Sequence, residues 1–297
     1  MAYLDGKVAI VTGAAQGLGA AFATRLAQEG ADVAIMDLKP EVAQVGAELR
    51  RLGHRVVVRQ GDVSKREDCE ALVRDAAAEL GGVDVLVNNA GKWTRSLVTD
   101  PWEKALADFD EIFDTNMKGA MMMGRLCVQE MLKRGGGDIV NVSTYYVLPA
   151  RSEGTNSPAT DCYNASKWAM NGFTGPWALS LAEKNIRVNG IAMGATDTAM
   201  LRGLFKPNDP PADTVKGWMR PEQIADLMIQ LMKDGRTGEN VGAWAGYPVE
   251  LGPRQRMDSL LRWRPDFTGE PLRMFGAPPW DDVPPMRNVS FAGPARK

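Results

Sequence analysis

Tyr163 and Lys167 stand four residues apart in the segment Tyr163-Asn164-Ala165-Ser166-Lys167, and Ser143 closes the upstream run DIVNVS. On a helix that spacing puts both side chains on one face, one turn apart. A free phenol titrates near about 10 and is a poor base at neutral pH. An ammonium one turn away favours the phenolate and predicts a lowered pKa for Tyr163. Ser143 adds a hydroxyl that can donate to, or accept from, a reacting oxygen. Such a set exchanges a proton at an alcohol or carbonyl oxygen. By itself a Tyr-x-x-x-Lys pair is common on ordinary helices, so its weight comes from the company it keeps.

That company begins near the N-terminus, where an apolar run leads into Thr12-Gly13-Ala14-Ala15-Gln16-Gly17-Leu18-Gly19. Glycines permit a tight turn and a close backbone approach, and the helix that follows offers free N–H groups and a positive dipole end to a pyrophosphate. The spacing G-x-x-x-G-x-G differs from the commoner G-x-G-x-x-G. Asp37 follows, 18 residues beyond Gly19. A carboxylate there accepts the two ribose hydroxyls of NAD and repels the 2′-phosphate of NADP. The glycine turn holds no Arg or Lys for such a phosphate, although Lys39 is close, so NAD is favoured. Its positively charged nicotinamide would also favour the Tyr163 phenolate. Asp62-Val63 and Asn88-Asn89-Ala90-Gly91 each end a later apolar run; alone, the second reads as a turn.

The elements that must hold these residues are legible. Lys7–Thr12, Asp32–Met36, Arg55–Arg59 and Val83–Val87 are short, apolar and β-rich, with amphipathic stretches of helical period between them. Strands that lack clean alternation and are separated by helices predict a parallel sheet covered on both faces. A helical region from about Trp102 to Lys133, in two pieces, precedes a fifth strand at Asp138–Val142. A long helix at Cys162–Glu183, a sixth strand at Ile186–Ala192, a helix at Pro221–Lys233 and a seventh strand at Val241–Leu251 complete the series. The expected fold is α/β, a Rossmann-type doubly wound parallel seven-stranded sheet with helices on both faces, plus a C-terminal extension.

Composition narrows the alternatives. The 297 residues are 44% hydrophobic, enough for a sizeable core, and a net charge of −2 leaves no electrostatic footprint for nucleic acid or an anionic membrane. Three cysteines without metal-ligand spacing, and a single histidine, His54, exclude a Cys/His zinc site and a Ser-His-Asp triad. No apolar run reaches the roughly 18 residues of a membrane span, and MAYLDGKVAIVTG lacks the pattern of a secretory signal. A cytoplasmic protein is expected. The domain is read as residues 1–252, followed by a Pro- and Arg-rich extension, 253–297, docked on the domain or a neighbouring subunit; half of the 18 prolines lie after Tyr247.

Taken in order and register, these motifs resemble the short-chain dehydrogenase/reductase family over roughly residues 4–252. They are LDGKVAIVTGAAQGLG, Asp37, Asp62-Val63, NNAG, Asn116, Ser143, YNASK and RVNGIAMGATDT. The resemblance implies a catalytic set of Asn116, Ser143, Tyr163 and Lys167. Tyr163 would exchange the hydroxyl proton and Ser143 orient the substrate oxygen. Lys167 would bind the nicotinamide ribose and tune the tyrosine, and Asn116 would hold a water of the proton relay. The same resemblance places the cofactor against Gly13, Gln16, Gly17, Leu18 and Gly19, then Asp37 and Leu38. Asp62 and Val63 would meet adenine and Asn89, Ala90 and Gly91 the adenosine side. Gly194, Thr196 and Thr198 would lie near the carboxamide. It also implies a homodimer or homotetramer.

Two departures stand out. Nineteen residues separate Ser143 from Tyr163, more than the family's usual gap, and the polar segment Arg151–Asp161 absorbs the excess. Met193-Gly194 stands where the family carries Pro-Gly, which predicts a looser pocket edge. The substrate pocket is expected at Trp93, Ser143, Tyr145, Met193 and Met200, with Tyr146, Trp168, Leu201 and Phe205 nearby. Aromatic walls there suit a bulky aromatic or alicyclic secondary alcohol. Other chemistries on the same fold stay open at this point: C=C or C=N reduction, epimerase or lyase reactions, and a non-catalytic NAD-binding regulator.

Overall fold

Runs of Val, Ile and Ala bury both faces of each central strand, which is possible only when helices cover the sheet on either side. In the computed structural model, which describes residues 2–147, 159–246 and 249, this is the architecture found. Seven parallel strands run in the order β3-β2-β1-β4-β5-β6-β7. They are β1 (Val8–Thr12), β2 (Asp32–Asp37), β3 (Val56–Gln60), β4 (Val85–Asn88), β5 (Gly137–Thr144), β6 (Ile186–Met193) and β7 (Asn240–Ala243). The expected sheet is present. The insertion at 151–158 and the extension 253–297 lie outside the described residues.

Helices α1 (Gly17–Gln28), α2 (Val42–Arg51) and α9 (Pro221–Asp234) cover one face. Phe22 and Leu26 of α1 and Leu227 and Leu231 of α9 join Val11, Val33, Val87 and Val140 in one apolar cluster. Helices α3 (Arg66–Leu80), α5 (Ala120–Arg134) and α6 (Asp161–Leu181) cover the other, where Leu72, Met123, Cys127 and Met131 meet Ile10, Leu86 and Ile139. Short helices α7 (Ala199–Gly203) and α8 (Ala212–Lys216) lie in the connection after β6.

The helical region after Trp102 comes in two pieces, as expected: helix α4 (Trp102–Phe113) passes through a π-helical turn, Asp114–Gly119, into α5. One boundary differs from the expectation. Strand β7 ends at Ala243, not Leu251, because Trp244 turns against Tyr145 and Gly246 takes φ +77°, leaving the sheet. Strand order reverses between β1 and β4, so the loops after them diverge and leave a crevice at the carboxyl ends of the strands. Asp84, at the opposite end, accepts from Val8 N–H and pairs with Lys7 and Arg134, clamping β1 to β4 from below.

Candidate active site

The crevice is a cleft of about 460 Å³, lined by the glycine turn, the loops after β2, β3 and β4, the end of β5, Tyr163, Lys167 and the segment after β6. At its back the glycine turn is held from across the switch point. Asn89 Nδ2 donates to the carbonyls of Thr12 and Gly13 at 2.9 and 3.0 Å, and the Thr12 hydroxyl accepts from Asn89 N–H and Ala90 N–H. Gly13 takes φ +66°, and a Cβ there would sit 2.8 Å from Ala90 Cα, so only glycine fits. A Cβ on Gly19 would overlap the Gly13 carbonyl. The side chain of Asn89 is thus spent on bracing the turn.

Helix α1 begins with no side-chain cap and no acidic residue in its first turn, so its leading N–H groups are left to an anion. Asp37 accepts from Ala15 N–H at 2.9 Å and Lys39 N–H at 2.9 Å, which fixes its carboxylate beside the turn. Asp62 accepts from Ser64 N–H, ordering the loop after β3.

The opposite wall is built on α6. Ser96 ties the loop after β4 to the helix start: its N–H donates to Ala159 O at 3.0 Å and its hydroxyl bonds the Asp161 carboxylate. That bond, the largest cause, holds the Asp161 carboxyl below its ordinary value. Six residues on, Lys167 is 4% exposed and its Nζ donates to Val142 O at 2.9 Å. Burial lowers its pKa to about 8. Nζ lies 5.9 Å from the centre of the Tyr163 ring.

The lowering of the Tyr163 pKa expected from Lys167 is not found. Desolvation on the cleft floor pushes this phenol up to about 12, opposed in part by a hydrogen bond with Thr144. Lys167 does not offset it, because its ammonium is drawn to Val142 O and lies 5.9 Å from the ring centre. Ser143 lines the cleft as expected, and its hydroxyl donates to Lys167 O at 3.4 Å.

Asn116 sits in the π-helical turn, fully buried. Its Oδ1 accepts from Lys92 N–H at 2.7 Å, and its Nδ2 donates to Lys92 O and Ser166 Oγ, both at 3.0 Å. Ser166 Oγ in turn donates to Tyr163 O. The amide thereby locks the loop after β4 to the Tyr163 turn.

Trp93, Tyr145, Tyr146, Met193 and Met200 line the cleft as expected, with Leu201. Trp168 and Phe205 do not. Trp168 is 45% exposed, and Phe205 packs on Trp218. Trp244 and Leu204 line it unforeseen. Trp244 corrects the expectation of a loose edge at Met193-Gly194, since a Cβ on Gly194 would overlap its indole ring, which also meets Tyr145 at 4.8 Å. Thr196 donates to Gly194 O, and Thr198 caps α7 by accepting from Leu201 N–H, placing that segment over Gly17.

Comparison with known proteins follows this geometry closely. The profile of the short chain dehydrogenase family matches residues 7–209. The chain belongs to the short-chain dehydrogenase family. It is 38% identical over 251 residues to the Bos taurus dehydrogenase/reductase SDR family member 4, covering 80% of this chain and 86% of that protein. It is 35% identical over 237 residues to the cis-4-hydroxycyclohexanecarboxylate dehydrogenase of Sinomonas cyclohexanicum, covering 77% and 90%. Among solved structures it resembles 7α-hydroxysteroid dehydrogenase complexed with NADH and 7-oxo glycochenodeoxycholic acid. That match has a TM-score of 0.72 and 30% identity over 82% of this chain and 94% of the other.

The fold of this oxidoreductase family binds a nicotinamide cofactor, and the cleft fits one. The glycine turn leaves backbone room, the start of α1 is uncapped, and the single acceptor at Lys167 leaves two of its three N–H donors for a ligand. Replacing Gly194 by Ala forces the Trp244 ring aside and lowers stability by about 1–3 kcal/mol in urea unfolding. Combined with Trp244→Ala, it costs less than the sum of the two single changes, since the ring that the new methyl would meet is gone.

Proposed function

We propose that the chain is an NAD-dependent dehydrogenase acting on a bulky aromatic or alicyclic secondary alcohol and its ketone. The observation that carries the reading is the Tyr163–Lys167 pair on the floor of a largely apolar cleft, facing an uncapped helix start and Asp37. The cofactor supplies a hydride acceptor, or donor, at its nicotinamide ring. In oxidation Tyr163 takes the hydroxyl proton; in reduction it returns it to the carbonyl oxygen. Lys167 would hold the nicotinamide ribose, and its positive charge would favour the phenolate. Asn116 acts as a positioning residue through Lys92 and Ser166. The walls of Trp93, Tyr145 and Trp244 exclude water and present flat apolar surface to a ring. Relatives named for a cyclohexane acid and a steroid are consistent with that shape.

Because the phenol is protonated at neutral pH in the free protein, alcohol oxidation speeds up as pH rises and ketone reduction slows. Tyr163→Phe should keep NADH binding within about twofold by fluorescence and lose about 10²–10⁴ in turnover. Full turnover by that variant would point to a different chemistry or to a non-catalytic role. A substrate panel preferring small linear or charged alcohols, or activated alkenes and imines, would sink the assigned substrate class.

The choice of NAD rests on Asp37, whose carboxylate, held beside the glycine turn, would repel a 2′-phosphate. Asp37→Ser should narrow the NAD-over-NADP preference in kcat/KM by at least about tenfold, or about 1.4 kcal/mol. An unchanged ratio would remove Asp37 from the selection.

A homodimer or homotetramer is proposed as well. Trp102, Leu106 and Phe109 form one exposed apolar face of α4, at 78, 57 and 46% exposure. A second copy is the occupant that the family resemblance implies. Sedimentation at micromolar concentration should show an oligomer, and Leu106→Glu should dissociate it. Among the described residues no helix is long and apolar enough to cross a membrane. Cytoplasmic residence is proposed on the unpaired, buried Cys69 and Cys127, and is checked by cell fractionation.

A further inference from the structure

We infer that Trp244 is a specificity-determining residue that limits the substrate to a single ring. The inference rests on the dehydrogenase reading above and narrows its substrate class. Trp244 stands directly after β7, half-buried, and lines the cleft. Met193 faces Ala243 in register, and Gly194 N–H donates to Ala243 O at 2.8 Å. The chain after β6 and the chain after β7 therefore leave the sheet side by side. The missing Cβ of Gly194 is what admits the indole, because a Cβ there would overlap its Cε3. The ring also meets Tyr145 at 4.8 Å, tilted by 57°, and Tyr145 is itself buried. Packed against backbone and a buried ring, the indole is a fixed wall and not a flap.

The size limit follows from what shares the cleft. Its volume of about 460 Å³ lies within the range of about 300–1,000 Å³ usual for one drug-sized ligand. A dinucleotide laid along the glycine turn, Asp37 and Asp62 takes most of that space. The remainder, beside Tyr163, is bounded by Trp93, Tyr145, Met193 and Trp244. One alicyclic ring lies there against the aromatic faces. A second, fused ring needs the volume that the indole fills.

The test uses the full chain, NAD and three secondary alcohols of growing size: cyclohexanol, decahydronaphthol and a four-ring steroid alcohol. The parent should favour cyclohexanol in kcat/KM. Trp244→Ala should move the decahydronaphthol-to-cyclohexanol ratio of kcat/KM by at least about tenfold toward the larger alcohol, mainly through KM. NADH binding by fluorescence should stay within about twofold of the parent, since the wall serves the substrate. Trp244→Phe, which restores part of the ring, should fall between the two. Binding of the matching ketones to the NADH complex, read as nicotinamide quenching, should shift in the same order without turnover. Should Trp244→Ala fail to fold, Trp244→Phe carries the test with a shift of at least about threefold. A loss of rate shared equally by all three alcohols marks a purely structural wall and overturns the inference. A parent that prefers the larger alcohols overturns it too. Either result leaves the dehydrogenase reading intact if Tyr163→Phe is inactive. A parent that oxidises none of the three overturns both.

Discussion

A lysine ammonium buried on one carbonyl is the constraint around which the cleft is arranged. Lys167 is 4% exposed, and its described acceptor is Val142 O, so most of its hydration is lost and only part replaced. Burying a charge this way is unfavourable, and the group responds by holding its proton less tightly. Its position is set by the strand β5 and the start of α6. Ser96, Asp161 and Asn116 fix that helix start to the loop after β4. Those contacts keep Tyr163 and Lys167 at the mouth of the sheet, where a ligand can complete the coordination that the protein leaves unfinished.

The glycine turn is restrained in the same manner. Asn89 and Thr12 join the ends of β1 and β4 directly, so the backbone that faces an anion does not need to be ordered by it. Preorganised donors lower the entropy that binding must overcome. Polar side chains at the switch point thus divide into those that build the cleft and those left to meet a ligand. Asn89 and Asn116 belong to the first group, while Lys167 and Tyr163 belong to the second.

Much of this was legible in the amino-acid order. Apolar runs such as VAIVT and DVAIM, ended by glycine or aspartate, place the strands, and the four-residue step from Tyr163 to Lys167 places both on one helix face. What stayed hidden has specific causes. DIVNVST is buried from Ile139 onward, so no alternation reveals which of its residues face the cleft. Trp244 backs Gly194 from just past the end of β7, fifty residues later, and nothing local announces that contact. Tyr163 was expected to be acidified by its lysine neighbour, but spacing along a helix carries no information about desolvation, which here dominates.

The central claim is that this cleft moves a hydride from a ring-bearing secondary alcohol to a nicotinamide, with Tyr163 receiving the proton. It is tested most directly with a cyclic secondary alcohol deuterated at the carbinol carbon, incubated with NAD and the full chain. The account predicts that the NADH isolated by mass spectrometry carries the deuterium at its nicotinamide ring. Product formed with the label lost to solvent, or retained on the substrate carbon, would contradict it.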